Sequence, residues 1–168
     1  RAGLPLLPKP GADLLLEWGL NNKPRGVKDG KPMNFFPPEE SLVRIADVPF
    51  VGFIDVVNAR EEYLVPTDED GHTVVAMSEP RVIEVVDHKT TKDPKKWAKA
   101  SAQLPKTTQM NTYADFVCAV EPSIEAVRLS HIVYKTEGAA DAIKRSIRVP
   151  IAQIRDQRVQ VVEPLVER

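Results

Sequence analysis

One cysteine among 168 residues, Cys118, excludes a disulfide framework and a multi-cysteine iron–sulfur or zinc site. Its surroundings, "YADFVCAVEP", are apolar with helical spacing, which suits a core thiol better than a nucleophile. No apolar run approaches the roughly 18 residues of a membrane span. The opening "RAGLPLLPKPG" has no charged segment leading into a long apolar core, so no secretory signal is expected. The expected compartment is the cytoplasm, with no membrane partner. An initiator methionine is also missing, and the expectation is that an upstream element lies outside this sequence. Excess charge is missing too. The 23 Lys and Arg oppose 24 Asp and Glu, a net charge of −1 that argues neither for nor against nucleic acid. What remains is an ordinary globular composition, long enough for one domain with a real core and too short for two.

The charge is unevenly placed. From Lys89 to Lys106, six lysines (Lys89, Lys92, Lys95, Lys96, Lys99 and Lys106) oppose one acid, Asp93. A weaker basic group gathers at Lys23, Arg25, Lys28 and Lys31.

The hydrophobic pattern gives an order of elements. Residues 1–10 are proline-rich and read as extended, and "ADLLLEWGL" (12–20) fits a helical turn or a strand. Residues 21–32 read as a loop, dense in Gly, Pro and Asn. Strands are expected at 40–46 and 50–57, joined by "ADVP". The polar excursion over 58–80 reads as an inserted hairpin with Asp70-Gly71 at its tip. A strand follows at 81–89, and then Asp93 and Pro94 supply the cap and first position of a helical stretch that Pro105 interrupts. Met110, Tyr113, Ala114 and Val117 define an amphipathic helix over 107–120. Further strands are expected at 125–136 and 144–151. Ile151, Ile154, Val161 and Leu165 then share a helical face, with an end or kink near Pro164. The expected fold class is α/β (α+β), a mixed central sheet flanked by helices.

Two places in this pattern are energetically expensive. Asp55 is a lone acid inside "FVGFIDVV", and the apolar strand of "RVIEVVDHKTTKDP" ends in Asp87-His88-Lys89. A buried charge costs several kcal/mol unless it is paired, hydrogen-bonded or bound to a metal. Residues two apart on a strand share a face, so Asp87 and Lys89 point one way while His88 and Glu84 point the other. If the two strands pair, Asp55, Asp87 and Lys89 converge. A cation relieves the repulsion of paired carboxylates, and hard oxygen ligands suit Mg²⁺ or Mn²⁺. With a lysine beside it, such a site is equipped for metal-assisted phosphodiester hydrolysis, and the lysine run supplies a field for phosphate. A plain salt bridge at a sheet edge would produce the same spacing.

Taken in order, "GFIDVV", "VIEVVDHKTTK" and "QMNTYADFV" resemble the RecB-type nucleases of the PD-(D/E)XK superfamily, with their G-x-x-D strand, D-x-K-T strand and Q-x-x-x-Y helix. The resemblance covers roughly residues 40 to 120. It implies one restriction-endonuclease-like domain over 1–168 and a metal-dependent DNA nuclease, an exonuclease of recombination, repair or phage DNA processing. Asp55 and Asp87 would hold Mg²⁺ or Mn²⁺, with the His88 backbone carbonyl as a further ligand. Lys89 would orient and activate the attacking water. Gln109 and Tyr113, four residues apart on one helix face, would position the scissile strand. Lys92, Lys95, Lys96, Lys99 and Lys106 would contact DNA, and Trp97 among them is placed to stack on a base or to pack on the sheet. The family's upstream helix carries a metal-binding His or Glu. Here no histidine precedes His72, and Glu17 and Glu40 are the available stand-ins. The alternative is a binding module that keeps the nuclease fold without catalysis. Ring-like assemblies among such exonucleases leave oligomerisation open.

The other histidines invite plainer readings. His88 faces away from the convergent residues, so its side chain is expected to pack or to hydrogen-bond at the surface. His131 alternates with Val127, Leu129 and Val133 and reads as a satisfied core or edge histidine. "TDEDGHT" lacks the spacing of a calcium loop and reads as a hairpin tip.

Overall fold

The computed structural model describes Leu6, residues 14–58 and residues 82–167. The expected hairpin tip at Asp70-Gly71 and almost all of the proline-rich start lie outside the described residues. The ambiguous apolar segment is a strand, β1 (Leu14–Gly19). Two short hairpins follow, β2 (Val27–Lys28) with β3 (Lys31–Pro32), and β4 (Arg44–Ile45) with β5 (Val48–Pro49). Both turn through two residues at positive φ, Asp29-Gly30 (53° and 75°) and Ala46-Asp47 (47° and 62°), the conformation whose twist matches paired strands. The segment expected as a loop therefore holds a hairpin. The expected strand at 40–46 shrinks to Arg44–Ile45, after a 3₁₀ turn at Pro38–Glu40.

The main elements come next: β6 (Phe53–Asn58), β7 (Val82–Thr91), α1 (Pro94–Trp97), α2 (Thr108–Val120), β8 (Ala126–Lys135), β9 (Ala142–Pro150), α3 (Ile151–Gln157) and α4 (Glu163–Val166). Asp93 caps α1, its carboxylate accepting the Lys96 N–H at 3.2 Å, but the helix lasts one turn before a 3₁₀ segment at Ser101–Lys106 that contains Pro105. Thr107 restarts the chain as helix by accepting the Met110 N–H at 3.3 Å.

Five strands form one mixed sheet in the order β1-β6-β7-β8-β9, and only β7 and β8 run parallel. The fold is thus the mixed α+β class expected. Alternation sorts the side chains to two faces. Ile83 and Val85 of β7, Val127 and Leu129 of β8 and Val149 of β9 join Met110, Tyr113, Ala114, Phe116 and Val117 of α2 in the main core. Each large side chain fully buried there contributes roughly 1.5–3 kcal/mol. The opposite face carries a smaller cluster of Val56, Val86 and Ile132, against which Leu6, Leu14 and Tyr134 pack.

The C-terminal helix corrects one detail. Between α3 and α4 the chain makes a π turn at Arg158–Val162. The wider turn rotates everything after it, so Val162 is fully buried and Val166 packs on the core, while Leu165 is 55% exposed. The π turn lies just before Pro164, and it shifts the apolar face by one residue. Asn111 ties this region down from inside, donating to the carbonyls of Pro105 at 3.2 Å and Ile154 at 3.1 Å.

Candidate active site

The parallel pairing of β7 with β8 and the antiparallel pairing with β6 determine what surrounds Asp87. On one side Asp87 stands directly opposite His131. On the other side the β6–β7 ladder runs from Asn58–Glu84 to Val56–Val86 and stops. One residue further, the Asp55 carboxylate accepts the His88 backbone N–H at 2.7 Å, taking the place a ladder carbonyl would have had. Asp55 and Asp87 thus sit on neighbouring strands, close enough that each charge matters to the site. Burial raises the Asp55 carboxyl above the ordinary range, the His88 N–H opposes this, and the Asp87 charge adds to the rise.

Asp87 has only 2% of its surface exposed. Its Oδ1 accepts from Lys89 Nζ at 3.1 Å and from Gln109 Nε2 at 3.0 Å. The same ammonium is 2.9 Å from Oδ2, so it is ion-paired with both carboxylate oxygens. Burial pushes the Asp87 carboxyl up, and Lys89 pulls it back. Gln109 is the hub of the arrangement. Its Oε1 accepts from Lys89 at 2.9 Å, while its Nε2 also reaches the Tyr113 hydroxyl at 3.0 Å. Tyr113 in turn donates to the Phe53 carbonyl at 3.2 Å, locking helix α2 to the end of β6. Burial raises the Tyr113 phenol to about 12, so it remains a donor. Asp55, Asp87, Lys89, Gln109 and Tyr113 are therefore all brought together, and one connected network links four of them, Asp87, Lys89, Gln109 and Tyr113.

A cleft of about 520 Å³ opens over this network, lined by Lys89, Trp97, Lys99, Thr108, Gln109 and His131 among others. Thr107 and Thr108 at the start of α2 also line it, so the positive end of the helix faces the same space. The lysine run divides. Lys99 lines this cleft, whereas Lys92 and Lys95 border a neighbouring one with Lys135. Lys92 is ion-paired with Glu137 at 2.9 Å, Lys96 lies over the Trp97 ring at 5.2 Å, and Lys106 is exposed. The indole of Trp97 is 65% exposed, beside the cleft rather than packed on the sheet.

His88 lies on the other face, as alternation requires, stacked on Tyr134 and sharing a 2.9 Å hydrogen bond through Nδ1. Its N–H points toward β6, and in an extended strand the carbonyl of the same residue leaves on the same side, beside Asp55. The Cys118 thiol is half-buried and raised to about 11, so it is no nucleophile. The two stand-in acids are engaged. Glu17, between Leu16 and Trp18, which pair with Val56 and Ile54, is paired with Arg25, and Glu40 is paired with Lys23 at 2.9 Å.

His131 is the residue whose role sequence reading missed. It is buried like its neighbours on β8, but its Nε2 has no hydrogen-bond partner among the described residues and lies 3.5 Å from Asp87 Oδ2. Burial and the Lys89 and Lys99 ammoniums push its imidazole down to about 4, so it is neutral at neutral pH. Alternation with valines and leucine correctly gave its burial. Only the β7–β8 register shows that it abuts Asp87.

Among the described residues no three His, Cys, Asp or Glu side chains converge tightly enough to form a preformed metal cage. A water-rich site of the Mg²⁺ kind needs fewer, usually one or two carboxylates and substrate oxygens. Asp55 and Asp87 on neighbouring strands supply two carboxylates of that kind, with the Lys89 ammonium 2.9 Å from Asp87 Oδ2. The residues present therefore fit such an ion. Compared with protein-family models, with curated proteins and with solved structures, the chain gives no match.

Proposed function

We propose that the chain is a divalent-metal-dependent deoxyribonuclease of the RecB-type PD-(D/E)XK kind, acting on linear DNA in the manner of an exonuclease. The observation that carries this is Asp87, a buried carboxylate held by Lys89 and Gln109, two residues that line a cationic cleft. The three sequence segments that resemble the family meet at this one point.

Asp55, Asp87 and the His88 carbonyl would hold Mg²⁺ or Mn²⁺, which when bound supplies Lewis-acid stabilisation of charge on the phosphoryl oxygens. Lys89 presents its ammonium at the cleft wall, where it orients a water or a phosphate oxygen. Gln109 holds that ammonium in place and is itself held by Tyr113, so these two position rather than react. Lys99, Thr108 and the α2 N-terminus attract the phosphodiester, and Trp97 offers a face to a base.

A specific observation favours a second reading. Lys89 already neutralises Asp87, and no three-residue metal cage exists among the described residues. A DNA-binding module would need no more than this. Incubating the full chain with end-labelled linear DNA and Mg²⁺ or Mn²⁺ separates the two. Cleavage that Asp87→Ala and Lys89→Ala each abolish is expected. Salt-sensitive binding without cleavage, or cleavage that survives both substitutions, refutes the nuclease.

A further inference from the structure

The β2–β3 hairpin carries a charge arrangement that nothing among the described residues neutralises. Lys28 and Lys31 stand directly opposite one another in its register, flanking the Asp29-Gly30 turn. Like charges directly opposite on paired strands destabilise them. Both lysines are exposed, and neither ammonium has an ion pair or hydrogen bond among the described residues. Asp29 is the one acid between Arg25 and Asn34. Arg25 itself anchors the hairpin. Its guanidinium pairs with Glu17, donates to the Met33 carbonyl at 2.5 Å and lies 5.2 Å from the centre of the Phe53 ring. Phe53 belongs to the frame of the site, since its carbonyl accepts the Tyr113 hydroxyl, which Gln109 ties to Lys89. Phe36 is buried edge-on against Phe53 at 5.9 Å, while the adjacent Phe35 is 65% exposed.

The hairpin thus repeats, on the β6 side of Asp87, the composition of the cleft on the β8 side, where the exposed Trp97 stands beside Lys99. Lysines interleaved with exposed rings make a surface that tracks a single nucleic-acid strand, with ammoniums on the phosphates and rings on the bases. We infer that Lys28, Lys31 and Phe35 form a second contact for single-stranded DNA, so that the strand is held on both flanks of Asp87. The inference rests on the nuclease reading for where the reacting phosphate lies, and extends it by naming what the hairpin binds. A phosphate between the two ammoniums replaces their repulsion with two charge-assisted contacts. The Gly30 tip is five residues from Arg25, a reach of about 17 Å at about 3.3 Å per residue. The hairpin therefore adds several nucleotides to the length of strand that the cleft alone engages.

Binding is read without metal, so cleavage does not enter. The full chain in EDTA is titrated by fluorescence anisotropy with labelled single-stranded DNA of about 6 and about 20 nucleotides, which bracket the usual site sizes of single-strand-binding folds. On the longer strand, Lys28→Met with Lys31→Met should lower the slope of log affinity against log salt by about 1.4, the loss of two phosphate contacts. Phe35→Ala should weaken binding of that strand about fivefold or more. The shorter strand fills the cleft alone, so these variants should bind it as the native chain does, whereas Lys99→Met should lower the slope on both. All three hairpin-side residues are exposed, so the variants are expected to fold normally. Unchanged slope and affinity on the longer strand, or losses of equal size on the shorter one, overturn the second contact. Absence of any DNA binding overturns it together with the nuclease reading. Cleavage of linear DNA with no loss in the hairpin variants spares the nuclease and removes the contact; the expected losses without cleavage do the reverse.

Discussion

Replacing Lys89 with methionine tests whether Asp87 is a buried charge that depends on one cation. In the native chain the carboxylate accepts from Lys89 and Gln109 on one oxygen and has Lys89 2.9 Å from the other. The variant leaves it only the neutral amide. A charge-assisted hydrogen bond is worth roughly 1.5–3 kcal/mol net. Lys89 is 42% exposed and partly screened, so the loss is discounted to about 1–2 kcal/mol at neutral pH. For a chain of this size that lowers the melting temperature by about 3–6 °C. The pH dependence follows from the sign of the Asp87 shift. Burial already holds this carboxyl above its ordinary value, and Lys89 is the group pulling it down, so Lys89→Met raises it further. Where the folded state keeps a proton that the unfolded chain releases, stability rises as pH falls. The penalty of Lys89→Met should therefore be largest at neutral pH, shrink by about pH 5, and largely disappear when combined with Asp87→Asn. Circular-dichroism melts of the native chain, both single variants and the double variant measure this. A penalty equal at both pH values and unchanged by Asp87→Asn would refute the reasoning.

Trp97→Ala should leave the melting temperature unchanged, because the ring is 65% exposed, yet weaken single-stranded DNA binding by about 1–3 kcal/mol in fluorescence anisotropy. Lys99→Met should lower the slope of log affinity against log salt by about one unit if its ammonium meets a phosphate. Asn111→Ala should destabilise by about 1–3 kcal/mol, since it removes the side-chain donor from the Pro105 carbonyl and leaves Ile154 with the Arg158 N–H, and it should expose the C-terminal helices to protease before the sheet.

The elements that local chemistry dictates were legible in the sequence. The Met110, Tyr113, Ala114, Val117 spacing marks α2, and apolar alternation marks β8. Strand and helix periodicity placed Asp87 with Lys89 and Gln109 with Tyr113 on common faces, while the meeting of the two pairs was implied only by the family resemblance. Three features were not legible. The π turn inserts its extra residue through tertiary packing, so no local signal moved the buried position from Val161 to Val162. The Asp29-Gly30 turn was a hairpin signal, but strands of two residues are too short to register as periodicity. His131 required the register of a parallel pair, set by contacts 44 residues apart between Asp87 and His131, which no window on the chain contains.

The early end of the β6–β7 ladder has a consequence for how substitutions at residue 55 are interpreted. There a side chain, not a carbonyl, completes the hydrogen bonding of the sheet, so Asp55 acts as a piece of backbone as well as a charge. Deleting it with alanine would unzip the strand pair and remove the acid together, and a dead variant would say nothing about chemistry. Asparagine keeps an acceptor for the His88 N–H while discarding the charge. The position therefore tolerates a loss of charge far better than a loss of oxygen, and the difference between those two substitutions separates the architectural role of Asp55 from any chemical one.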